Sequence, residues 1–130
     1  ASRLTRLQAT GQKTTFILTS IATYALLADH PEDALAPLEA ALALKVDRTV
    51  LNNLAVAKVR ANPHDAAAAL KLAEQALQLA PGYYEILNTR AEILIALGKM
   101  EAARADVETV LERHKDSKDA KKLLRILNKQ

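Results

Sequence analysis

Apolar residues recur along this chain at helical spacing, in blocks of about a dozen positions separated by short polar or proline-containing breaks. Between Thr49 and Arg60, Val50, Leu51, Leu54, Ala55 and Lys58 fall at i, i+1, i+4, i+5 and i+8, one stripe on a helix. Breaks lie at Asp29-His30-Pro31, at Asn62-Pro63 and at Gly98. A proline after a polar residue starts a helix well, because its missing N–H would have been unpaired there anyway. Further helices are predicted to end near Lys45-Val46-Asp47, Ala80-Pro81-Gly82 and Lys115-Asp116-Ser117. Pro37 lies inside the second helix, which predicts a kink or a late start.

The blocks repeat. A small residue falls at Ala34, Ala69 and Ala103, and a small-Leu pair at Ala41-Leu42, Ala76-Leu77 and Val110-Leu111, with spacings of 35 and 34. An upstream series runs Ile21-Ala22, Leu54-Ala55 and Arg90-Ala91. A period near 34 with two helices per unit is the signature of a stacked helical array, because one hairpin cannot bury its own apolar face. The divisions are 1–14 as an N-terminal extension or linker, then about 15–47, 48–83 and 84–117 as units. Residues 118–130 form a capping helix, with Ala120, Leu123, Leu124 and Leu127 on one side and Lys121, Lys122, Arg125 and Lys129 on the other.

Composition sharpens the class. Ala (26) and Leu (22) dominate the 130 residues, against three Gly and four Pro, which argues for an all-α protein. The absence of Cys removes disulfides, thiol catalysis and Cys-ligated zinc. No apolar run reaches membrane-spanning length, and no paired His/Glu helix motif, phosphate loop or calcium loop is present. The chain begins at Ala1 without Met, as a processed protein or an excised domain does. No secretory signal is visible, which favours the cytoplasm, and the alanine content points weakly to a bacterial source. The net charge of +3 is unevenly spread: +3 over residues 1–13, −5 over 14–112 and +5 over 113–130.

These residues resemble the tetratricopeptide repeat family. The matching stretches are Asn53-Leu54-Ala55 with Ala69, Ala76-Leu77 and Pro81, then Arg90-Ala91, Leu94, Leu97-Gly98, Ala103 and Val110-Leu111. The first unit keeps Tyr24, Ala34 and Ala41-Leu42 but has Asp29 where Gly is usual; the second carries about two extra residues around Asn62-Pro63. The resemblance spans roughly residues 15–117 plus the cap. It implies a right-handed superhelical solenoid of three helix-turn-helix repeats, whose first helices line a concave groove that binds peptides.

On that frame the groove presents Phe16, Thr19, Ser20, Thr23 and Leu27, then Thr49, Asn52, Asn53, Val56 and Arg60, then Glu85, Asn88, Thr89, Glu92 and Ala96, with Lys122 and Ile126 from the cap. The resemblance also implies where a two-carboxylate clamp for a C-terminal peptide would lie. Those positions hold Thr19, Thr23, Asn53, Glu85 and Thr89; only Asn53 fits, and Glu85 repels an anion. Asn and Thr side chains instead suit the backbone of an extended segment, since an Asn amide both donates and accepts.

The expected function is a non-catalytic scaffold or adaptor for another protein or peptide segment. It needs no cofactor, metal or small-molecule substrate. Its peptide-binding residues are Thr19, Ser20, Thr23, Asn52, Asn53, Val56, Asn88, Thr89 and Glu92, with Ile95 as a further apolar contact. The alternatives are a self-associating homodimeric module, the repeat domain of a larger protein, or a polyanion-binding surface of Lys118, Lys121, Lys122, Arg125 and Lys129. Nucleic acid is the weaker partner, because no aromatic follows Tyr84 to stack on bases. His30, His64 and His114 fall near turns and should cap helices or face solvent. At least one of Tyr83 and Tyr84 should pack between units, the other being a candidate aromatic anchor for a partner. Leu4 and Leu7 are spaced as on a helix, and Gly11 should interrupt the chain before the first unit.

Overall fold

Seven helices follow one another without a strand among the described residues: α1 (Arg3–Leu27), α2 (Glu32–Leu44), α3 (Arg48–Ala61), α4 (Ala66–Leu79), α5 (Tyr84–Ala96), α6 (Met100–Arg113) and α7 (Lys118–Asn128). The computed structural model describes residues 2–130, apart from the side chains of Leu4 and Leu7, so their expected helix face lies outside the described part. α1 pairs with α2, α3 with α4 and α5 with α6. Each hairpin then stacks on the next, and α7 closes the end against α6 and α5. The result is the three-hairpin solenoid with a cap.

The period near 34 has a packing cause. The repeated small residues Ala34, Ala69 and Ala103 are all 0% exposed, as are Ala22, Ala55 and Ala91. A side chain no larger than a methyl group lets two helices approach at each of these crossings, and Leu38, Ile86, Ile93, Val107 and Leu127 fill the spaces between them.

Local chemistry sets the helix ends. The Asp47 carboxylate accepts from the N–H groups of Thr49 and Val50 at 2.8 and 3.2 Å, starting α3. The Ser117 hydroxyl accepts from the Ala120 N–H at 3.2 Å, starting α7. The extra residues of the second unit form a 3-10 turn (Pro63–Asp65), capped by Asn62 Oδ1, which accepts from the His64 N–H at 3.1 Å.

Two expectations need correction. Gly11 does not interrupt α1, which runs 25 residues through it. One glycine costs a helix only about 1 kcal/mol relative to alanine, and the hydroxyls of Thr10, Thr14, Thr15, Thr19 and Thr23 donate to carbonyls one turn back along this helix. Of the two outcomes expected at Pro37, the late start is overturned: α2 begins at Glu32, and the proline leaves only the carbonyl of exposed Asp33 without its helical donor.

α1 and α5 end alike. The His30 N–H donates to the Ala25 carbonyl and the Lys99 N–H to the Leu94 carbonyl, both at 2.8 Å, around a left-handed residue. That residue is Gly98 (φ 78°) at one end and Asp29 (φ 61°) at the other. Left-handed backbone crowds a Cβ, so Asp29→Gly should stabilise the fold by about 0.5 kcal/mol and Gly98→Ala should destabilise it by about 1 kcal/mol. Urea unfolding of the two variants reads both signs, and a loss of stability for Asp29→Gly contradicts the account.

Candidate functional site: a concave groove on α3, α5 and α7

Superposing the repeats puts the nine expected groove residues into three columns, Thr19/Asn52/Asn88, Ser20/Asn53/Thr89 and Thr23/Val56/Glu92. A concave cavity of about 1140 Å³ collects only part of them. It is lined by Asn52 and Val56 of α3, by Asn88, Thr89 and Glu92 of α5, and by Lys122 and Ile126 of α7. Thr19, Ser20 and Thr23 do not reach it. Asn53 sits in a separate shallow depression with Arg48, Thr49 and Tyr83, and Ile95 packs against the α5–α7 core instead of the groove.

The threonines differ from expectation in chemistry as well as in place. Thr19 Oγ1 donates to the Thr15 carbonyl at 2.9 Å, Thr23 Oγ1 to Thr19 at 2.8 Å and Thr89 Oγ1 to Glu85 at 3.1 Å. Their protons are committed to their own helices, which leaves them acceptors only.

The two asparagines are the unsatisfied groups of the groove. Asn88 is 7% exposed, and the Oδ1 atoms of Asn52 and Asn88 are buried without a hydrogen-bond partner among the described residues. Buried polar atoms are nearly always paired, and an orphan costs about 1–3 kcal/mol. These two occupy the same place on successive repeats.

Charge organises the rest. Arg60 makes a two-pronged contact with Glu92, 2.9 Å from Nε and 2.9 Å from Nη2, joining α3 to α5 across the groove. This hydrogen bonding raises the Arg60 pKa above its ordinary value against the opposing effect of burial, and it takes up the Glu92 carboxylate. Tyr84 donates its hydroxyl to Glu85 at 3.3 Å, and the Glu85 charge pushes the phenol pKa up. Its ring lies 4.2 Å from that of His114, fixing the start of α5 against the α6–α7 turn. Tyr83 is the tyrosine that packs between units: it lies beside Leu51, Ala76 and Ile86, under the Arg48 guanidinium at 4.8 Å.

Sequence reasoning missed the turn residues Arg113–Asp119 as groove lining, while Tyr84 is the tyrosine of the pair that reaches the groove. Helical periodicity marks faces of helices and carries no signal for a turn that folds over a groove.

The five basic residues of the cap are all exposed and share one face of α7, within about 100° of one another. Lys118 and Lys122 line the groove, while Lys121 pairs with Asp116 at 3.7 Å. All three histidines are exposed. His30, Glu32 and Asp33 bring ligand atoms within 4.8 Å of one another, and all three side chains are exposed. Among the described residues, no helix is long and apolar enough to cross a membrane.

The tetratricopeptide repeat model matches residues 63–127. No curated protein matches the chain in sequence. Several solved structures match in shape. The first TPR of Spaghetti (RPAP3), bound to the HSP90 peptide SRMEEVD, has a TM-score of 0.76 at 21% identity, covering 90% of this chain and 94% of that one. The second TPR domain of human RPAP3, in complex with the HSP70 peptide SGPTIEEVD, has 0.75 at 21%, covering 92% and 99%. The Arabidopsis OM64 TPR domain has 0.78 at 18%, covering 92% and 98%. At these identities the likeness is one of fold.

Proposed function

The chain belongs to the tetratricopeptide repeat family, and from that premise we propose that it is a non-catalytic scaffold that binds an extended segment of another protein in the α3–α5–α7 groove. The observation that carries this reading is the pair of buried, unpartnered Oδ1 atoms on Asn52 and Asn88. Turned toward the groove, these two amides on adjacent units offer acceptors and donors to the backbone of an extended chain, whatever its side chains. Val56 and Ile126 add modest apolar contact, and Lys122 adds a charge at the α7 wall. With no large aromatic anchor other than Tyr84, affinity should be roughly micromolar.

The peptide chemistry differs from that of the structural neighbours. Their SRMEEVD and SGPTIEEVD peptides end in acidic residues. Here Glu85 stands on the groove, the Glu92 carboxylate is already held by Arg60, and the positions implied for a carboxylate clamp hold Thr19, Thr23, Asn53, Glu85 and Thr89. Titration with SRMEEVD should therefore show no binding at micromolar concentration.

The direct test is affinity capture from lysate of the source cells, comparing the wild-type chain with the Asn52→Ala/Asn53→Ala/Asn88→Ala variant. A partner held by the wild type and lost by the folded variant supports the groove, and at least a tenfold weaker titration should follow with that partner. Identical capture by both chains rules out these amides as the binding groups.

A further inference from the structure

The N-terminal end of the solenoid carries an apolar surface that the groove does not use. Phe16, Ile17, Ile21, Tyr24 and Leu27 of α1 are 72, 55, 50, 76 and 83% exposed. At 100° per residue all five fall on one side of the helix. Part of this stripe has counterparts in the later units. Ile17, Ile21 and Tyr24 match Val50, Leu54 and Ala57 of α3, which are 1, 2 and 0% exposed because α2 covers them. Phe16 and Leu27 have no apolar counterparts in α3, where Thr49 and Arg60 stand. The exposed surface is therefore wider than the face one hairpin presents to the hairpin before it.

Charge identifies what fits it. α1 carries Arg3, Arg6 and Lys13 and no acidic residue, whereas Asp29, Glu32 and Asp33 cluster at its far end, at the α1–α2 turn. A helix that is basic at one end, acidic at the other and apolar between is complementary to itself when inverted. We propose that this stripe is a self-association surface, on which α1 of a second copy packs antiparallel about a twofold axis near Ile21. That arrangement sets Phe16 against the partner's Leu27 and brings Lys13 level with the partner's Asp29. The contact is the same from both sides, as a closed dimer requires. The five side chains expose roughly 600 Å² per copy, so the pair removes about 1,200 Å², the lower edge of a specific interface. Of α1 and its turn only Asp29 lines the groove, so the dimer leaves the groove open.

Sedimentation velocity on the peptide-free chain, from about 5 to about 500 µM, tests this independently of any groove ligand. A dimer should appear with rising concentration and weaken in high salt. Ile21→Glu and Tyr24→Lys should each give a monomer with unchanged far-UV circular dichroism, since both side chains are at least half exposed. Lys13→Glu should weaken the dimer several-fold. The chain has no cysteine of its own, so Ile21→Cys should cross-link two copies under mild oxidation, while Lys99→Cys should not. A chain that stays monomeric throughout overturns the proposal and assigns the stripe to a different covering element, such as a further repeat or another protein. A dimer that survives Ile21→Glu overturns it too, by placing the interface elsewhere.

Discussion

Arg90→Ala is expected to lower the stability of the fold by about 2–3 kcal/mol, more than any other truncation of a charged side chain in the described structure. Arg90 reaches from α5 to α6 and holds Asp106 with two bonds, 2.8 Å from Nε and 2.8 Å from Nη2. Asp106 is only 7% exposed, so removing its partner leaves a carboxylate charged and largely shut away from water. Arg60→Ala breaks a bond of the same geometry to Glu92, but the side chains are 47 and 30% exposed, and water can take over. That loss should stay below about 1 kcal/mol. Replacing both partners of the inner pair, Arg90→Leu with Asp106→Leu, should recover most of the stability, because the cost lies in the orphaned charge.

Urea unfolding of the four chains decides the matter. A loss for Arg90→Ala no greater than for Arg60→Ala would mean that Asp106 finds water when its partner leaves. The Asp106 bonds raise the Arg90 pKa against the opposing effect of burial. A cation with a raised pKa contributes fully below its ordinary value and loses that contribution as pH rises from there through the raised one. This pair therefore stays intact on the cation's side until strongly alkaline pH.

Leu127→Ala should cost about 3 kcal/mol and act mainly on α7. Leu127 is 2% exposed and packs in the cluster that includes Leu94, Val107, Val110 and Leu123. The end of α7 is also tied to α6 by Arg104, whose Nη1 donates to Asn128 Oδ1 at 2.9 Å and whose Nη2 donates to the Leu127 carbonyl at 3.3 Å. An eleven-residue helix cannot hold itself together in water, so weakening its dock should release it while the hairpins persist. Hydrogen exchange should show loss of protection over Lys118–Asn128 and near-normal protection over α3 and α4. Uniform loss across all seven helices would instead mean that the array unfolds as one unit. Because Lys122 and Ile126 form a wall of the groove, this variant should also bind any groove partner less tightly.

The hairpins, their period and their small-residue crossings were legible in the sequence because each depends on spacing along one helix. Ala34, Ala69 and Ala103 announce close approach wherever they recur, and all three are fully buried. The groove was legible at Asn52, Val56, Asn88, Thr89 and Glu92, which a repeat frame places directly. It was not legible at Thr19, Ser20 and Thr23, because the cavity is set by α7 and the α6–α7 turn folding over α3 and α5, toward the end remote from α1. Nor did the pattern reveal that the threonine hydroxyls turn back onto their own helices. The Arg90–Asp106 pair did leave a trace. Arg90 stands in a column otherwise held by Ile21 and Leu54, and a charge in an apolar column calls for a buried counter-charge on a neighbouring helix.

In the stacking order described above, extensive contacts join only helices that are consecutive or next-but-one, the farthest being α1 with α3, α3 with α5 and α5 with α7. No native contact of that kind waits for the two ends of the chain to meet, so the entropy of closing long loops is hardly met during folding. Such a chain should fold on the microsecond-to-millisecond scale of helical proteins. It can begin at whichever hairpin forms first and spread from there to its neighbours.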